Sequence, residues 1–351
     1  MDNATLLRAP AVAGSPWQDA SPALRRRRRQ LLRLVLLAFL VVGAVFGPPI
    51  GREVLTGWLL LVLWAACGGV ASVWRRTLVQ DWLPLLGVLF AYDLLRGLAY
   101  RIGGGLFALP RYRSGLLDDQ ARVGAHLTEP LQVDSWLFGG RVPTAWLQQH
   151  LYSPGTTQWY DLLTVVVYFS HFLVSLGVAV VLWGGSYGVF RRYLASLVTL
   201  TGAALLTYVL YPAAPPWMAS LNGYLPGTGA AGIARVIPDT LTHLGGHTVN
   251  SALERGEAYA NPVAAIPSLH AAIPLLLVLF FWPLVGWWLR IALLLYAFLM
   301  AFTLIYGGEH YVVDVLLGWL YAAGAVLAVR LVGRWREPAE KIPSPRPPTT
   351  G

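Results

Sequence analysis

Gly308-Glu309-His310-Tyr311-Val312-Val313-Asp314 opens an apolar run that continues to Gly333, with a single arginine near its far end. A helix needs about 20 mainly apolar residues to cross the hydrocarbon core of a membrane, so residues 311–333 are long enough. His310 and Asp314 stand four positions apart and share one helix face. Ionisable groups where a helix enters a membrane are costly, and by default they mark a pathway or a reaction. At this spacing a carboxylate fixes the orientation of an imidazole and raises its basicity. A second polar segment, Pro267-Ser268-Leu269-His270, opens another apolar run in the same way.

Composition agrees with a membrane chain. The 351 residues are 56% hydrophobic and 12% charged, where soluble domains carry about 25% charged residues. The formal charge of +9 is almost wholly arginine, since Lys341 is the only lysine. No basic soluble domain presents that charge, so nucleic acid is not the expected partner. Cys67 is the only cysteine, which excludes an intrachain disulfide and a thiolate-rich metal site.

The hydropathy pattern predicts an all-α, polytopic transmembrane bundle of about eight spans, near 31–48, 54–74, 80–99, 160–183, 193–211, 268–285, 288–306 and 311–333. Asp81, Asp93 and Arg96 interrupt the third and must face the bundle interior or the interface. Residues 1–30 form a disordered basic N-terminal segment ending in the run Arg25–Arg29, which reads as the flank of a retained signal-anchor helix. N-terminal membrane helices follow over 31–100. An extracytoplasmic loop with interfacial helices covers 101–159. The catalytic membrane core occupies 160–334 and includes an outer loop at 212–267. A disordered tail covers 335–351. Arg75, Arg76, Arg191, Arg192, Arg290, Arg330, Arg334 and Arg336 fall on one side with both termini, and the positive-inside rule makes that side the cytoplasm of a bacterial-type plasma membrane. His270 and His310 then lie at the extracytoplasmic face.

Three stretches resemble the type 2 phosphatidic-acid phosphatase superfamily, in its inositolphosphotransferase branch, which includes fungal inositol phosphorylceramide synthase. They are Ala213-Ala214-Pro215-Pro216-Trp217, Ile266-Pro267-Ser268-Leu269-His270, and Thr303 to Gly318 with His310, Tyr311 and Asp314. The resemblance covers roughly 160–330 and implies a six-helix core. It also implies roles: His310 as the nucleophile that takes the phosphoryl group, Asp314 as its orienter, and His270 as the acid and base. The implied substrate is a lipid phosphate among membrane lipids. An inositol-like alcohol is the implied acceptor, and no cofactor or metal is needed. The phosphatase members carry a Lys-x6-Arg-Pro motif and an arginine upstream of the nucleophile, where this chain has Leu304; the inositolphosphotransferase branch lacks that arginine as well. Phosphate neutralisation therefore falls to Arg235 or Arg255, with Arg101 and Arg141 as weaker candidates, because arginine forks suit phosphate geometry. Ser268, Tyr311, Pro216, Trp217 and His171 complete the candidate substrate contacts.

Blander readings stand beside these. A single loop arginine is usually solvated, and a histidine at a membrane boundary often only bonds the interface. Tyr168 and Tyr211 read as packing. Glu309 reads as solvated. His243 and His247 share helical spacing, but two glycines separate them. His270, His310 and Asp314 also have the composition of a 2-His-1-carboxylate metal site. Three functions remain open on the residues alone: a lipid phosphotransferase, a lipid phosphate or polyprenyl pyrophosphate phosphatase using water, and a transporter or scramblase with a His/Asp relay.

Overall fold

The computed structural model describes residues 21–46, 52–88, 90–91, 109, 111–113, 122–225, 232–244 and 261–336. Twelve helices are named among these residues. They are α1 (Pro22–Phe46), α2 (Arg52–Ala66), α3 (Ala71–Thr77), α4 (Thr128–Leu137), α5 (Pro143–Leu151), α6 (Trp159–Gly185), α7 (Tyr187–Leu210), α8 (Pro216–Leu221), α9 (Val236–His243), α10 (Leu269–Phe281), α11 (Trp287–Tyr306) and α12 (Val312–Arg336). Three of them are long and apolar enough to cross a membrane: α7, α11 and α12 over Val312–Gly333. A fourth is α6, if its two halves, bent by 43° between His171 and Leu173, count as one span. The chain is an integral membrane protein.

Several expected spans come out differently, for local reasons. The second breaks after Ala66, because Gly68 and Gly69 adopt φ of +63° and +71° and end the helix in the left-handed conformation. The third begins on a π-helical turn, Leu78–Trp82. There Asp81 does face the interior, where it accepts from Trp183 Nε1 at 3.0 Å and Tyr187 Oη at 2.5 Å. Asp93 and Arg96 lie outside the described residues. The sixth, α10, has only 13 residues and carries Pro274 in its interior. The arginine run is not a disordered leader: α1 begins at Pro22 and contains Arg25–Arg29. The fold is not purely helical either. β1 (Arg111–Arg113) pairs antiparallel with β2 (Arg122–Gly124), setting Tyr112 opposite Val123. Both side chains join the apolar core of the cap, which is the reason so short a ribbon holds.

α10 sits at the centre of the bundle, packed chiefly on α12 and α11 and also on α6 and α7. Ala272, Ile273, Leu276 and Leu277 of α10 meet Trp183, Phe190, Leu200, Ala322 and Val326 in the main core. Over one end of the bundle lies a cap made from the β-ribbon, α4, α5, α8 and α9. Its own core gathers Val123, Leu127, Leu131, Trp217, Met218, Ile233 and Tyr311. The site lies where cap and bundle meet, because α10 and α12 both start there.

Candidate active site

Two helix starts are locked together by backbone contacts. The Ser268 N–H donates to the Asp314 carbonyl at 3.1 Å. A Cβ placed on Gly318 would lie 2.4 Å from the Ser268 carbonyl oxygen, so glycine is what allows the approach. Ser268 caps α10 in the ordinary way, its Oγ accepting the Ala271 N–H at 3.3 Å. That residue is fully buried.

His270 follows on the first turn of α10. Its ring lies between Tyr168, stacked at 4.9 Å between centroids, and His171 at 4.2 Å, both on α6. The His310 ring lies 6.0 Å from that of His270. His310 Nδ1 contacts Asp314 Oδ2 at 3.2 Å, and the same oxygen accepts the Tyr311 N–H at 2.9 Å. Asp314 is fully buried and His310 nearly so. With Nδ1 donating to the carboxylate, Nε2 is the nitrogen left to meet a substrate.

The loop before α12 is held from the cap. Gly308 has φ +81°, and a Cβ there would meet the Ala234 carbonyl at 2.7 Å. Its own carbonyl accepts the Trp217 N–H at 3.2 Å, and the Gly307 carbonyl accepts the Val236 N–H at 3.4 Å. These bonds bring Arg235 beside the loop. Its guanidinium lies 4.5 Å above the Trp217 ring and pairs with Glu309 Oε1 at 3.2 Å. Glu309 is therefore a partly buried partner of Arg235, not the solvated side chain expected of it. Gln148 fixes the same segment by bonding both the N–H and the carbonyl of Ala234.

The remaining predicted contacts divide. Pro216 begins α8 and places Trp217 in the cap core. Tyr311 is fully buried in that core, and its hydroxyl has no hydrogen-bond partner among the described residues. Arg141 is exposed on the cap. Arg255, Arg101 and His247 lie outside the described residues. Among the described residues, no group of three or more His, Cys, Asp or Glu side chains is arranged to hold a metal ion. The sequence reading assigned no role to Asp134 or Gln148 and read Tyr168 as packing. They sit far from the motifs in sequence, and no spacing rule connects them to His310.

Residues 131–328, more than half of the chain, match the PAP2 superfamily. The chain belongs to the PAP2 superfamily. The PAP2 match takes in both helix starts, the cap from α4 onward and all the residues placed around His270 and His310. Over 137 residues the chain is 31% identical to a phosphoinositol dihydroceramide synthase of Bacteroides thetaiotaomicron, a stretch that is 35% of this chain and 42% of that protein. That likeness is consistent with the inositolphosphotransferase branch. No solved structure matches the chain. As a PAP2 superfamily member the protein is an enzyme of the lipid phosphatase and phosphotransferase type.

Proposed function

We propose that this enzyme transfers a phosphoinositol-like headgroup between lipids at the extracytoplasmic face of the membrane, through a phosphohistidine. The observation that carries the reading is the placement of two imidazoles 6.0 Å apart with a buried carboxylate on one of them. A phosphoryl group attacked at about 3–3.5 Å, with a leaving oxygen about 3 Å from its acid, spans that gap. The bacterial relative, a phosphoinositol dihydroceramide synthase, supports an inositol phosphate headgroup and a dihydroceramide-type lipid. The arginine distribution supports the extracytoplasmic face.

His310 Nε2 attacks phosphorus, forming the P–N bond as the P–O bond to the donor lipid breaks. His270 gives its proton to that leaving oxygen. Asp314 holds the Nδ1–H and stabilises the positive charge that develops on the His310 ring. The acceptor hydroxyl then loses its proton to His270, its oxygen attacks phosphorus, and the P–N bond breaks to restore His310. Arg235 neutralises the phosphoryl oxygens, its planar fork already oriented by the Trp217 face.

The test uses purified protein with phosphatidylinositol as donor and fluorescent dihydroceramide as acceptor. His310→Ala is expected to abolish transfer while the melting temperature holds, and vanadate is expected to inhibit the wild type. Phosphate release from phosphatidic acid without transfer would convert the reading to a phosphatase. Lipid flux in liposomes that survives His310→Ala, with no turnover in either protein, would convert it to a scramblase.

A further inference from the structure

A helix start leaves its first N–H groups without intrahelical partners. α12 begins at Val312, and positions 309–311 hold Glu, His and Tyr, none of them a residue that caps well from that place. Asp314 reaches back to the Tyr311 N–H, using the oxygen that also serves His310. Its second oxygen, Oδ1, is buried without a partner among the described residues. The Val312 and Val313 N–H groups go instead to Asp134 of α4, which lies 178 positions earlier than Val312. Asp134 Oδ2 accepts from Val312 at 2.8 Å and Oδ1 from Val313 at 2.9 Å. Asp134 is fully buried.

We infer that Asp134 is a positioning residue for the reaction: by occupying the two N–H groups just ahead of Asp314, it leaves the Asp314 carboxylate to hold His310. The inference rests on His310 being the nucleophile. Without Asp134, two buried N–H groups at the positive end of a helix lack an acceptor, an arrangement that strongly attracts a carboxylate. The carboxylate on the same turn is Asp314, whose Oδ1 is unpaired among the described residues. Turning toward those donors, it would release Nδ1, and His310 would lose both its tautomer and its aim. Leu131 already anchors α4 in the cap core, so the helix does not depend on Asp134 for attachment.

Burial pushes the Asp134 carboxyl up to about 6, against the pull of the two N–H donors, and the Asp314 charge adds to the rise. Asp314 is the titratable group of α12 that acts on it, and Tyr311, on the approach to α12, feels the Asp134 charge in turn. On its own side Glu129 is paired with His126. Asp134 therefore gains its proton within the range where the kcat profile is measured.

The experiment compares wild type, Asp134→Asn and His310→Ala in the transfer assay above. Asparagine keeps one acceptor oxygen and cannot titrate. The expected result is a fall in kcat of about tenfold or more, with KM for either lipid moving less than about threefold. The acid limb of kcat is expected to be steeper by one proton in wild type than in the variant, the proton that Asp134 takes up. A lowered melting temperature with wild-type kcat and an unchanged limb would overturn the inference and leave Asp134 a structural cap. If Asp134→Asn does not fold, Asp134→Ser is read in the same way. If neither folds, the wild-type profile decides, and an acid limb with no group titrating near 6 overturns the inference. Wild-type turnover by His310→Ala would remove the phosphotransfer reading itself. A dead His310→Ala beside a fully active Asp134→Asn would remove only the role of Asp134.

Discussion

Replacing Gly318 by alanine tests whether the closeness of two helix starts is what assembles the site. The added methyl would lie 2.4 Å from the Ser268 carbonyl oxygen, 3.2 Å from its carbon and 3.4 Å from its nitrogen. All three obstacles are backbone, so no side chain can swing away. Ordinary contact begins at 3.4 Å, and relief requires the helices to part by about 1 Å. That motion carries Ser268, then His270 two positions on, and strains the 3.1 Å bond from Ser268 N–H to the Asp314 carbonyl. Overpacking of this kind costs about 1–3 kcal/mol of stability. A displacement of about 1 Å at reacting groups costs about 10²-fold in rate, or about 2.7 kcal/mol of barrier. Transfer by Gly318→Ala is therefore expected to fall about a hundredfold, although every catalytic side chain is present. Gly324→Ala is the control: it lies on the same helix with nothing within 4 Å of the added carbon, and its kcat is expected to match wild type. Melting temperatures in detergent separate misalignment from unfolding. A folded Gly318→Ala that turns over within about twofold of wild type would refute the reasoning.

Further outcomes follow from the loop that carries His310 and the segment that holds it. Arg235→Leu is expected to raise KM for the anionic donor by about tenfold or more, and Arg235→Lys to recover little, because a lysine lacks the planar fork that rests on Trp217. In the same titration Glu309→Gln is expected to lower KM by releasing the guanidinium from its 3.2 Å ion pair, and a rise in KM would contradict this. Gln148→Leu strands the N–H and carbonyl of Ala234 and one contact to the Tyr306 carbonyl. It should cost about 3 kcal/mol, seen as a lower melting temperature.

The sequence made the two helix starts legible because their chemistry is local. His310 and Asp314 share a helix face by spacing alone, and Pro267-Ser268 announces a capped helix that carries His270. The Arg235 candidacy was also open to reading, since few other arginines lie in the second long loop. The count of crossing helices was less legible. Hydropathy ran straight through Gly68 and Gly69, where left-handed backbone ends α2, and through Trp282, where α10 has already stopped. The β-ribbon was missed because three-residue strands carry too little alternation to register, and Tyr112 and Val123 meet only when the cap forms. Asp134 and Gln148 stayed invisible for a different reason. Each satisfies backbone groups more than eighty positions away, and backbone N–H and carbonyl groups leave no mark in a sequence.

α4 carries apolar side chains on its buried and its exposed side alike. It buries Asp134 and turns Val133, Trp136 and Leu137 outward, with Phe138 exposed just beyond its end. An oily outer side tethered by an acid to α12 works like a float on a valve stem: the level at which the rings ride sets the height of the valve. The turnover number is then expected to vary with micelle dimensions, acyl length and headgroup crowding while the fold stays the same, and rates measured in two different detergents are expected to differ.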